Sequence, residues 1–92
     1  MRMISQNGKV DLPYEQIGVQ INNLNKKDII AYPIHVAGES HWTLAKYSTE
    51  EKAVKAMEML RETWINETVE FEDGIFHRNI IFKFPKDDEI EV

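Results

Sequence analysis

Ser48-Thr49-Glu50-Glu51-Lys52-Ala53-Val54-Lys55-Ala56-Met57-Glu58-Met59-Leu60-Arg61-Glu62-Thr63-Trp64-Ile65 is where the hydrophobic period of this chain changes from two to about 3.6. Ala53, Met57, Leu60 and Trp64 recur at spacings of four, three and four, and Val54 and Ile65 widen the stripe. Lys52, Lys55, Glu58 and Glu62 lie off it, with Glu51 and Lys55 forming an i,i+4 pair of opposite charge. Ser48 followed three residues later by Glu51 reads as a capping box, and acids in the first turn suit the helix dipole. The spacing predicts one amphipathic helix over about 49–65, roughly 25 Å long at 1.5 Å per residue.

Upstream the period is two. Arg2 to Gln6 reads as a short strand, and Asn7-Gly8 is a hairpin signal because both positions tolerate positive φ. Val10, Leu12 and Tyr14 alternate with polar residues, and Pro13 marks that strand as an edge or a bulge. Ile17, Val19 and Ile21 form the next strand, followed by a polar turn over 22–28. Ile30, Tyr32, Ile34 and Val36 share a face of a further strand in which Pro33 signals an edge or irregularity. After the turn Ala37-Gly38-Glu39-Ser40, His41 to Tyr47 reads as a strand with Trp42 and Leu44 on one face.

Downstream, Val69 and Phe71 suit a short strand, and Asp73-Gly74 is a second hairpin signal. Phe76, Ile80, Phe82 and Phe84 then fall on one face of a final strand that Pro85 ends. The expected architecture is α+β: an antiparallel, strongly curled β-sheet of about 5–6 strands with the helix packed on one face. Residues 1–85 form a single domain, and Lys86 to Val92 is expected to be a mobile acidic tail.

The totals exclude more than they identify. Ninety-two residues hold one modest core. The nine aromatic residues and 42% hydrophobic content argue against general disorder. With no cysteine there is no disulfide, thiolate metal site or cysteine nucleophile. No apolar run reaches the ~20 residues that span a bilayer, and the polar start is unlike a signal peptide, so a soluble, cytoplasmic chain with no membrane partner is expected. The formal charge is −5, of which the segment from Lys86 to Val92 holds −3, and the basic residues are scattered. That pattern works against general nucleic-acid binding.

Chemical motifs are sparse. His35, His41 and His77, with Glu39, are the residues a metal site or small enzyme would use, but His35 and His41 stand at no recognised ligand spacing. The carboxylate pairs Glu50-Glu51, Glu72-Asp73 and Asp87-Asp88 are explained by a helix start, a turn and a tail. No catalytic, cofactor-binding or metal-binding residue, and no cofactor, is assigned. Trp42 and Tyr32, with Asp87, Asp88 and Glu89 of the acidic tail, form the expected interaction surface. The reading is a non-enzymatic protein-interaction module with an unknown protein partner, and an edge strand offers a route to a homodimer. The alternatives are a metal- or ligand-binding protein or enzyme using the histidines, and a nucleic-acid-associated protein using Lys26, Lys27, Lys52, Lys55 and Arg78.

Three stretches carry a family resemblance. M-R-M-I-S-Q-N-G-K-V-D-L-P-Y-E (1–15), A-K-Y-S-T-E-E-K-A-V-K-A-M-E-M-L-R (45–61) and F-K-F-P-K-D-D-E-I (82–90) cover about 40 of the 92 residues. They resemble the start, the strand-to-helix junction and the acidic close of small uncharacterised proteins of Firmicutes and their prophages. The resemblance implies a Gram-positive bacterial or phage setting and an accessory role. It brings no catalytic or binding residue with it.

Overall fold

A computed structural model describes residues 1–34, 41–66, 68–71, 74–77 and 80–92, with side chains over 1–34, 41–66 and 80–92. Among the described residues eight strands and one helix follow in order: β1 (Arg2–Ile4), β2 (Asp11–Pro13), β3 (Ile17–Ile21), β4 (Asp28–Pro33), β5 (Trp42–Lys46), α1 (Glu50–Asn66), β6 (Thr68–Phe71), β7 (Gly74–His77) and β8 (Ile81–Lys83). Single 3-10 turns cover Tyr14–Gln16 and Asp87–Glu89. The class is α+β. In place of one strongly curled sheet, the strands divide into two three-stranded sheets, β2-β1-β8 and β3-β4-β5, and a separate hairpin β6-β7.

The first sheet is not wholly antiparallel. β1 and β2 are an antiparallel hairpin, but β8 returns from the far end of the sequence to lie parallel to β1, with Met3 opposite Phe82. The hairpin loop has local causes. Gly8 takes φ +77°, and Ser5, the only buried polar residue among those described, accepts the Val10 N–H at Oγ and donates to Asn7 Oδ1 at 2.7 Å. Pro13 does lie on an edge strand, since β2 ends the order of its sheet. The strand breaks after it because Tyr14 enters the 3-10 turn.

The second sheet is an antiparallel meander. Pro33 closes β4, the central strand, two positions beyond Ala31, where pairing with β5 stops at Trp42. Its missing donor therefore costs no ladder bond. The register with β5 shifts between Ile29 and Ile30, so Ile29 faces Ala45 and Ile30 faces Thr43. Leu44 is the extra residue of this bulge, and both Leu44 and Ala45 are buried. Simple alternation, with Leu44 and Trp42 on one face, fails for that reason.

The helix starts one residue later than expected. Thr49 is the cap, accepting the Lys52 N–H at 3.2 Å, because Ser48 is engaged elsewhere. Ala53, Ala56 and Leu60 are buried, whereas Val54 and Ile65 are exposed and do not widen the stripe. The core joins Met3 and Phe82 from the first sheet, Phe84 just after β8, Ile29, Ala31 and Leu44 from the second sheet, and the helix stripe. Gln6 links the two sheets: its N–H donates to Leu44 O, its Oε1 accepts Lys46 N–H, and its Nε2 donates to Pro85 O.

The final strand is not continuous. β7 ends at His77, and Ile81 begins β8 in a different sheet. β6 and β7 pair as an antiparallel hairpin, as the Val69 and Phe71 signals suggest, but Phe71 stands opposite Gly74, so Gly74 belongs to β7, and Asp73 of the expected Asp73-Gly74 turn lies outside the described residues. The turn at 37–40 and the end of the expected strand at Val36 lie outside the described residues. The segment from Lys86 to Val92 is docked, a correction to the mobile tail. Ile90 is only 5% exposed in the core, and Asp87 bonds to Ser48 and Lys52. An acidic composition reads as solvated, but one apolar residue and one well-placed acceptor are enough to hold the segment down.

Candidate functional site

The five residues expected to form an interaction surface do not form one patch. Tyr32 and Trp42 are each partly exposed. Trp42 stands opposite Ala31 and shares its face of the sheet, while Tyr32, the next residue along β4, points to the other face. The Tyr32 ring lies over Gly18 of β3, its cross-strand partner, so closely that a Cβ at Gly18 would sit 2.4 Å from it. Asp88 and Glu89 are exposed on the C-terminal 3-10 turn, where Glu89 accepts the Lys86 N–H.

Asp87 serves the fold. Its Oδ1 accepts the Ser48 N–H at 2.7 Å, its Oδ2 accepts the Ser48 Oγ–H at 3.0 Å, and Lys52 Nζ lies 3.2 Å from Oδ2. The Ser48 N–H, ahead of the Ser48 hydroxyl and the Lys52 ammonium, holds the carboxyl below the ordinary carboxylate value. Beside it Tyr47 is buried and donates its hydroxyl proton to Pro85 O at 2.8 Å. Burial, reinforced by the negative charges of Asp87 and Glu89, raises its pKa well above the ordinary tyrosine value. A phenol held neutral beside two carboxylates is a structural anchor.

His41 is exposed at the entrance to β5. His35, Glu39 and the His77 side chain lie outside the described residues, as does Arg78. Among the described residues no group of three or more His, Asp or Glu side chains is placed to hold a metal ion. No described helix is long and apolar enough to cross a membrane. Lys26 and Lys27 stand at one hairpin tip, while Lys52 is drawn to Asp87, so the basic residues expected for nucleic acid are divided.

Two features were missed by periodicity. The first is the tip between β3 and β4. Asn22 Oδ1 accepts the Leu24 N–H at 2.8 Å, Asn25 Oδ1 accepts the N–H groups of Lys27 and Asp28, and Asn22 O accepts the Lys26 N–H. Lys26 sits at φ +60°, an uncommon conformation for a lysine. These bonds hold Leu24 at 96% exposure, between asparagines and next to two lysines. The run of Asn residues signalled a turn, but not that the turn would be internally braced around an outward leucine.

The second is a groove of about 530 Å³ between α1 and β3. Tyr14, Ile17, Val19, Ile34, Met57, Leu60 and Trp64 form its apolar walls, and Glu15 and Arg61 border it. Its cause is visible in the register. Ile29 and Ala31 on β4 are fully buried, but their partners Ile21 and Val19 on β3 are only half-buried. The helix packs against both β3 and β4, but it covers the edge strand β3 only in part. The rings of Tyr14 and Trp64, both lining the groove, have centroids 5.0 Å apart. Comparison with protein-family models, curated proteins and solved structures gave no match.

Proposed function

We propose that this chain is a small cytoplasmic protein-interaction module that works by binding and not by catalysis. The observation that supports this reading is the braced tip presenting Leu24. Three backbone N–H groups donating to the Asn22 and Asn25 side chains order the loop before any partner arrives, so little conformational entropy remains to be lost on association. Burying an exposed leucine contributes roughly 1.5–3 kcal/mol. Lys26 and Lys27 beside it favour an acidic partner surface with an apolar pocket. An accessory role in a Gram-positive bacterium or its phage is part of the same proposal.

The test is capture of partners from a Gram-positive lysate, with and without phage induction, by wild type and by Leu24→Asp. Leu24 is almost fully exposed, so the variant keeps the fold. A near-stoichiometric partner held by wild type and lost by Leu24→Asp supports the reading. Equal capture by both proteins, or none by either, overturns it. Light scattering on the same samples decides the homodimer: a monomer at high concentration removes pairing through an edge strand.

A further inference from the structure

We propose that the groove between α1 and β3 binds a small monocarboxylate with an apolar body, the body lying against the sheet and the carboxylate meeting Arg61. This goes beyond protein interaction and does not depend on it. The volume of about 530 Å³ is that of a small-molecule site. Its floor is what the helix covers only in part: Ile17 and Val19 are half-buried on the same face of the sheet as the fully buried Ala31. Met57, unbranched and polarisable, suits a wall that adapts to an apolar guest.

The charges at the rim select the head group. Glu15 forms an ion pair with the amino group of Met1. Arg61 is exposed, and among the described residues no carboxylate pairs with it. Among the described residues the rim therefore offers a guanidinium with no carboxylate ion-paired to it, which a ligand carboxylate can engage through two parallel hydrogen bonds. A dianion is disfavoured, because the second charge would meet the carbonyl end of α1, whose partial charge is negative. An apolar cation is disfavoured by Arg61 itself.

Trp64 lines the groove, and the chain has only two tryptophans, so a Trp42→Phe background leaves one reporter in the site. The probes are decanoate below its micelle concentration, decanol and decyltrimethylammonium, read by Trp64 emission and by calorimetry. Expected is saturable decanoate binding, about tenfold tighter than decanol and tighter still than the cation. Arg61→Met should reduce decanoate to the affinity of decanol while leaving decanol unchanged. Absence of saturable decanoate binding in both readouts overturns the proposal. So does equal binding of the three probes, or decanoate affinity undiminished in Arg61→Met. Arg61 is exposed, so its variant tests the head group without touching the core.

Discussion

Asp87 accepts two hydrogen bonds from one residue, the backbone N–H of Ser48 at 2.7 Å and its hydroxyl at 3.0 Å. This contact, thirty-nine positions apart in sequence, fastens the C-terminal segment to the entrance of the helix. It also takes Ser48 out of the capping role and leaves Thr49 to fill it.

The contact makes stability depend on acid. The folded pKa of Asp87 lies below its ordinary value of 3.8, so its stabilisation is complete above that pH and is lost as pH falls through the lower folded value. Asp87→Asn should therefore melt below wild type at neutral pH, and the gap should narrow below pH 3.8. Thermal melts of both proteins across the acid range check this. Parallel curves would show that the carboxylate contributes nothing.

Tyr47 acts at the other end of the pH scale. Removing its hydroxyl in Tyr47→Phe loses the bond to Pro85 O and should destabilise by about 1 kcal/mol. Its folded pKa is raised, so the stabilisation is full below the ordinary value of 10.0 and falls as pH rises beyond it. Urea titrations should show the deficit of the variant shrinking above pH 10.0.

Ile90 tests whether the C-terminal segment belongs to the core. It is 5% exposed, and Ile90→Ala should cost about 2–5 kcal/mol by the cavity it leaves. Ile81→Ala, at a residue 69% exposed, should change stability by less than about 0.5 kcal/mol. Equal, small effects at both positions would return the segment to solvent.

Gly18 and Tyr32 should be coupled. Gly18→Ala forces the Tyr32 ring off its seat and should destabilise by roughly 0.5–1 kcal/mol. In a Tyr32→Ala background the same substitution should be neutral or stabilising, because alanine is the better strand residue and the clash is gone. A double-mutant cycle measures the difference, and additivity would mean that the ring does not rest on the glycine.

Much of the frame was legible because its causes are local. The helix follows from the spacing of Ala53, Met57, Leu60 and Trp64, and the first hairpin from Asn7-Gly8. Less of the candidate sites was legible. Trp42 and Tyr32 read as partners, but their strand pairing puts them on opposite faces. Asp87 read as solvated charge and is a structural acceptor. The groove has no sequence signal, since Val19 and Ala31 look alike until one lies at a sheet edge and the other at its centre.

By itself the sequence determined the class, the helix from about residue 49, the turn at Asn7-Gly8 and the exclusion of cysteine chemistry. All of these depend on residues within a few positions of one another, where backbone geometry and capping act. Only the tertiary structure decided that β8 pairs parallel with β1, that the sheet divides in two, that Leu44 bulges and that Ile90 is buried. Those outcomes join residues up to about eighty positions apart. They turn on which apolar faces cover one another and on loop closures whose entropic cost changes only slowly with length, and no local pattern encodes either.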